Sequence, residues 1–107
     1  MTLIKSAQGL GYKTNLFFFW LKSPEEAILR IADRVRNGGH NIPDDVVRRR
    51  YHRGIVNFFS LYRHVVDSWY IFDSSNTVPE LIARGDKGFG DIINNVELWK
   101  QFKGYAN

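Results

Sequence analysis

Leu16-Phe17-Phe18-Phe19-Trp20-Leu21, followed at once by Lys22-Ser23-Pro24-Glu25-Glu26, is the stretch that sets the fold class. Six apolar residues without alternation, bounded by turn residues, predict a strand buried on both faces, as inside a parallel sheet. Such a strand needs a neighbour on each side. The residues after it open a helix. Ser23 caps, Pro24 takes the first helical position, and Glu26 completes a capping box. Ala27, Ile28, Ile31, Ala32 and Val35 then form one apolar stripe, and Gly38-Gly39 stops the helix. Strand, short loop and capped helix make half of a βαβ unit, so an α/β fold is expected.

Working outward, residues 2–10 read as the tail of a preceding helix, closed by Gly9 or Gly11. Downstream, Pro43 opens a second helix with Asp44 and Asp45 in its first turn, where acids favour the helix dipole. Val47, Tyr51, Ile55, Phe58, Tyr62, Val65 and Trp69 recur at spacings of three and four, which predicts a helix over about 43–67. Trp69–Phe72 is a short strand, and the polar run Asp73–Thr77 is a loop. Val78–Ala83 reads as an edge strand, the only place where Pro79 is tolerable. Arg84–Gly90 reads as a turn, and Asp91–Phe102 as a terminal amphipathic helix. The expected fold is a small sheet holding residues 14–21 and 69–72, flanked by helices at 24–36, 43–67 and 91–102.

A chain of 107 residues allows a single domain over residues 1–107 with a real core. Its 44% hydrophobic and 24% charged content is that of a globular protein rather than a disordered one. The absence of cysteine excludes disulfides and thiolate metal sites, which suits a reducing compartment. Leu16–Leu21 falls far short of the roughly 20 residues a bilayer span requires, so a cytoplasmic protein without membrane attachment is expected.

The charge is not spread evenly. Residues 28–53 carry seven arginines (30, 34, 36, 48, 49, 50 and 53) against Asp33, Asp44 and Asp45, while the remaining eight bases and eight acids cancel. The whole formal charge of +4 therefore lies between the end of one helix and the middle of the next. Guanidinium groups stay ionised and grip oxyanions bidentately, so such a cluster suits phosphate. At 100° per residue, Arg49, Arg50, Arg53 and Asn57 fall within about a 100° arc opposite the apolar stripe, while Arg48 points elsewhere. A solvated helix surface is the bland alternative, but the acids that usually intersperse such a surface stop at Asp45.

Other chemistry is sparse. His40, His52 and His64 stand twelve apart without acids arranged around them, a poor metal-ligand pattern; only His40, in the glycine turn between the basic helices, is a site candidate. No G-x-x-x-x-G-K-[ST] loop and no G-x-S-x-G elbow occurs. Asp67, Asp73 and Asp91 read as isolated carboxylates. The motifs supply no self-sufficient active site.

Phe17–Leu21, Ser23-Pro24-Glu25, Arg34-Val35 and Gly38-Gly39-His40 form one ordered pattern with Pro43, Arg49-Arg50, Arg53 and Asn57-Phe58. Leu61-Tyr62, Asp67-Ser68-Trp69, Asp73-Ser74-Ser75 and Leu81-Ile82-Ala83 extend it. Over about residues 8 to 83 the pattern resembles the C-terminal half of the zeta-toxin-like P-loop kinases, also described as predicted ABC-type ATPases. The resemblance implies a partial doubly wound P-loop-kinase-like fold, ATP and magnesium as cofactors, and phosphoryl transfer to a small acceptor. In zeta toxins proper that acceptor is a nucleotide-activated amino sugar.

By the same resemblance, Arg34–Arg53 is a lid over the triphosphate. Arg34, His40, Arg49, Arg50, Arg53 and Asn57 are then nucleotide-binding, and Arg49, Arg50 and Arg53 neutralise charge on the moving phosphoryl group. The family's Walker A loop and catalytic acid precede the point that corresponds to Met1, so the lid is expected without its phosphate cradle. Activity then requires a separate N-terminal half. A homodimer is the alternative means of covering the Leu16–Leu21 edge. Two other functions compete with the phosphotransferase half. One is a nucleic-acid- or polyanion-binding module using Arg48–Arg53, with Tyr51 as a stacking residue. The other is a non-catalytic interaction fragment.

Overall fold

The computed structural model describes residues 2–106. Its elements run α1 (Thr2–Gly9), β1 (Asn15–Trp20), α2 (Pro24–Arg36) and α3 (Asp44–Asn57). A π-helical turn (Phe58–Tyr62) and a last short turn, α4 (Arg63–Val65), continue α3 without a break; β2 (Ser68–Asp73), β3 (Glu80–Asp86), β4 (Gly90–Ile93) and α5 (Val96–Gly104) follow. The fold is α/β, with one four-stranded mixed sheet in the order β1-β2-β3-β4. No helix among the described residues is long and apolar enough to cross a membrane.

Local chemistry accounts for the first half. Ser23 has extended backbone and its hydroxyl accepts the Glu26 N–H at 3.2 Å, so α2 starts where the capping pattern predicts. The Glu26 carboxylate reaches back to the Lys22 N–H at 2.8 Å, one residue before the cap. At the other end Gly38 adopts φ +95°, and the Gly39 N–H returns to the Arg34 carbonyl at 2.8 Å. This left-handed residue closes the helix. β1 and β2 pair in parallel from Asn15↔Ser68 to Trp20↔Asp73, with α2 and α3 in the crossover.

One face of the sheet makes the core. Leu16, Phe18 and Trp20 of β1, with Trp69 and Ile71 of β2, pack on Ile55, Phe58, Trp99 and Phe102 from α3, the π turn and α5. Aromatic edges meet aromatic faces here: Trp20 and Phe18 both lie T-shaped against Phe102, at 5.5 and 5.4 Å between centroids. The π turn has a packing consequence, because the extra residue in the turn lets consecutive Phe58 and Phe59 both reach the core.

Several expectations need correction. β1 is an edge strand rather than an interior one, and its second face is open: Phe17 and Phe19 are 54% and 59% exposed. The unalternating apolar run reflects a second aromatic surface, not burial on both sides. The segment read as an edge strand at 78–83 starts after Pro79, at Glu80, and lies inside the sheet between β2 and β4. The expected turn at 84–90 is a hairpin whose first three residues belong to β3. The helix expected from Asp91 starts at Val96, because β-branched Ile92 and Ile93 pair with Arg84 and Ala83 as β4. Asn95 caps α5 by accepting the Leu98 N–H at 3.1 Å. The Ile82 carbonyl, next along the β3–β4 ladder, accepts the Asn94 and Asn95 N–H groups at 2.7 and 3.0 Å, which anchors that start.

Gly85 tests how tightly this sheet packs. A Cβ there would lie 2.3 Å from the Trp69 indole, which also stacks on Trp99 at 5.8 Å. Gly85→Ala is expected to cost about 3 kcal/mol and to lower Tm by roughly 10–15 °C. A thermal scan by circular dichroism checks this; an unchanged Tm would mean that the indole can withdraw.

Candidate phosphate-binding site

The glycine turn and Pro43 fold α2 back against α3, so the charged segment becomes two packed helices. Their seven arginines divide by partner. Arg30 donates to the Ser74 carbonyl at 2.6 Å, Arg36 pairs with Asp33 one turn back, and Arg48 pairs with Glu25 at 3.0 Å. The Arg48 contact holds the Glu25 carboxyl below its ordinary range. Arg34, Arg49, Arg50 and Arg53 are exposed and have no hydrogen-bond or ion-pair partner among the described residues.

Arg49 and Arg53 stand one turn apart on α3, Arg50 lies three residues from Arg53, and half-buried Asn57 follows a turn later. Helix geometry thus gathers four of the six candidate residues along one side of α3. Arg34 lies on the last turn of α2 and His40 in the loop between the helices, both exposed. No hydrogen bond or ion pair joins either of them to the α3 arginines among the described residues. His52 and His64 are exposed on the helix and, at twelve-residue spacing, lie far apart.

Arg50 differs from the other two arginines of α3. It borders an apolar cavity of about 280 Å³ between β1, α2 and α3, whose other walls include Phe18, Ile31, Ile42 and Val47. Tyr51, the residue after it, is committed to structure. Its hydroxyl donates to the Leu21 carbonyl at 2.7 Å and accepts the Trp20 Nε1–H at 2.8 Å. Burial pushes its pKa up. Its ring is half-buried and meets Tyr105 edge to face at 5.3 Å.

Two of the carboxylates read as isolated are not. Asp73 is 1% exposed at the end of β2, where Oδ1 accepts the Ser75 N–H at 3.0 Å. Lys22 brings its ammonium to 3.5 Å from Oδ2, an ion pair without hydrogen-bond geometry, so Oδ2 accepts no hydrogen bond among the described residues. Ser75 donates its hydroxyl to Glu26 at 3.0 Å, and the Ser74 N–H meets the Trp20 carbonyl at 2.7 Å. A polar cluster therefore sits at the carboxyl ends of the two parallel strands, where open α/β sheets place ligands. Arg30 belongs to this cluster and not to the α3 face. The signal was present in the sequence, since Lys22 and Asp73 each follow a predicted strand closely. At the opposite end, Asp67 accepts the Thr14 N–H at 2.7 Å and the Thr14 hydroxyl at 3.1 Å, with Lys87 at 3.9 Å.

The chain matches no protein-family model, no curated protein and no solved structure. Its own residues offer a row of guanidinium groups on α3 able to hold an oxyanion and, separately, at the strand ends, a buried carboxylate balanced by one lysine.

Two measurements probe the strand ends. Lys22→Met strips Asp73 of its counter-ion; because Lys22 is itself partly exposed, a loss of about 1–3 kcal/mol at pH 7 is expected in chemical denaturation. For Asp67, the Thr14 backbone hydrogen bond lowers the folded-state pKa below the ordinary 3.8. Its ionised form therefore contributes stability above that value, and the contribution is lost as pH falls through the folded pKa. Asp67→Asn should be less stable than the native chain at pH 7, and the difference should close below pH 3.8. A difference independent of pH would mean that the Thr14 contacts do not depend on ionisation.

Proposed function

We propose that the α2–α3 hairpin is the phosphate-gripping lid of a zeta-toxin-like, ATP-dependent phosphotransferase half with a partial P-loop-kinase-like fold. The observation that carries this reading is the division of the arginines. Three of the seven are used up in contacts within the chain, and Arg34, Arg49, Arg50 and Arg53 have no partners among the described residues. These are the four arginines that the family resemblance assigns to the nucleotide. In this role Arg49, Arg50 and Arg53 act on the transferring phosphoryl group by charge neutralisation, with Arg34, His40 and Asn57 along the nucleotide. ATP and magnesium belong to the complete site. No Walker A motif occurs in these 107 residues, so turnover requires that loop from outside them.

Nucleic acid suits the surface less well. The strongly exposed aromatic rings lie off α3: Tyr12 in the loop before β1, Phe89 in the β3–β4 turn, and Phe17 and Phe19 on the sheet, where Phe17 stacks on Tyr70 at 5.1 Å and 11° and Phe19 on Phe72 at 5.3 Å and 17°. Ring faces engaged with each other leave little surface for bases to stack on.

Titration with ATP or tripolyphosphate, followed by NMR shifts of the α3 arginines, tests the proposal. Weak, saturable binding at one site is expected, with roughly tenfold loss for each of Arg49→Ala and Arg53→Ala. The chain alone should show no ATP turnover. Binding that grows with DNA length and falls steeply with salt, without saturation by nucleotide, would instead mark a polyanion surface.

A further inference from the structure

The outer edge of β1 and the cavity beside it form one surface. In a parallel pair the residues of a strand alternate: one directs both its N–H and its C=O to the neighbour, and the next directs both away. The Thr14 carbonyl accepts from Asp67 and Ser68, and the Trp20 carbonyl accepts from Ser74. Even-numbered residues of β1 therefore face β2. Asn15, Phe17 and Phe19 present their N–H and C=O groups outward, and no described hydrogen bond reaches any of the six. An edge of this kind is usually protected by lysine, proline or a bulge. Asn-Leu-Phe-Phe-Phe-Trp has none of these.

The cavity of about 280 Å³ opens against this edge, since Phe19 lines it together with Ile31 of α2 and Val47 of α3. Its volume is nearly twice the roughly 150 Å³ apolar cavity known to hold a benzene molecule, enough for two large side chains. Residues i and i+2 of a strand lie about 6.7 Å apart on one face, which is how two such side chains would enter. α2, which forms the far wall, has no buried residue, and its apolar stripe is only half covered.

We infer that β1 accepts an added strand: an extended segment of another polypeptide, with alternate large aliphatic side chains turned into the cavity and a carboxylate set against Arg50. Charge selects the carboxylate, because Arg50 is the one charged residue of the lining and has no described acidic partner. Space selects a bare strand. A second copy pairing through its own β1 would bring α3, packed beneath that strand, into the volume that α2 already flanks. The inference does not rest on phosphate binding by α3.

Amide hydrogen exchange of the native chain is the first test. Phe17 and Phe19 should exchange quickly and Phe18 and Trp20 slowly; equal protection would mean that the edge is already covered. The second uses a displayed library of random twelve-residue peptides selected on the immobilised protein. Enriched peptides should alternate large aliphatic and polar residues, include an acid, and protect the Phe17 and Phe19 amides when bound. Ile31→Trp, which fills the cavity, should weaken their binding at least tenfold, and Ala27→Leu serves if that variant does not fold. No enrichment, or peptides that protect no β1 amide, would overturn the inference. A dimer by light scattering with those two amides protected would place a second copy there instead and overturn it as well.

Discussion

The parallel pairing of β1 with β2 is the constraint on which everything else depends. The two strands lie fifty-three residues apart in sequence, so nothing local holds them together, and closing so long a loop carries an entropic cost. Polar contacts fasten both ends of the pair. Thr14 and Asp67 join one end through four hydrogen bonds, and at the other the Trp20 carbonyl, Ser74, Lys22 and Asp73 do the same work. Between these ends the register sets Leu16, Phe18 and Trp20 beside Trp69 and Ile71 on one face, and the helices of the crossover cover it. The arginines of α3 are positioned at one remove: Ile55 and Phe58 fix the helix to the sheet, and helical geometry then turns Arg49, Arg50 and Arg53 outward.

Elements governed by local chemistry were legible in the sequence. Ser23-Pro24 and Gly38-Gly39 announce both ends of α2, and the three-and-four spacing from Val47 to Val65 announces α3 and its continuation. What lay beyond reach depended on neighbours. Leu16–Leu21 cannot reveal from its own residues whether a second layer covers Phe17 and Phe19. Ile92, Ile93 and Val96 fit a helical face as well as a strand followed by a helix. Pairing with β3, and the Ile82 carbonyl that accepts the Asn94 and Asn95 N–H groups, decide between them. The π turn is equally silent in sequence, since Phe58 and Phe59 differ in nothing but position.

The site divides along the same line. Arginine count and helical phase placed Arg49, Arg50, Arg53 and Asn57 on one side of α3, because both are properties of a single helix. The Lys22–Asp73 pair joins residues from two strands distant in sequence, and only the parallel register makes them neighbours. Arg30 shows the cost of counting charge without contacts. It contributes to the local excess, yet its guanidinium is engaged by the Ser74 carbonyl.

Arg50 is where the two surfaces meet, one residue from Arg49 on the exposed side of α3 and in the wall of the cavity on the other. A strand seated on β1 would touch α2 through Ile31 and α3 through Val47, so it would brace the two helices that carry the uncommitted arginines. It would also exclude water from one side of Arg50. A charge in a drier surrounding interacts more strongly with an oxyanion than one surrounded by water. If α3 holds phosphate as proposed, covering the β1 edge and strengthening that grip would be coupled through this one side chain. By reciprocity a bound phosphate would favour the strand only if it left Arg50 free to meet the carboxylate, and would oppose it if it captured that guanidinium. The sign of the coupling thus depends on which oxyanion Arg50 holds, phosphate or carboxylate, whereas Arg49 and Arg53, outside the cavity lining, can serve phosphate in either state.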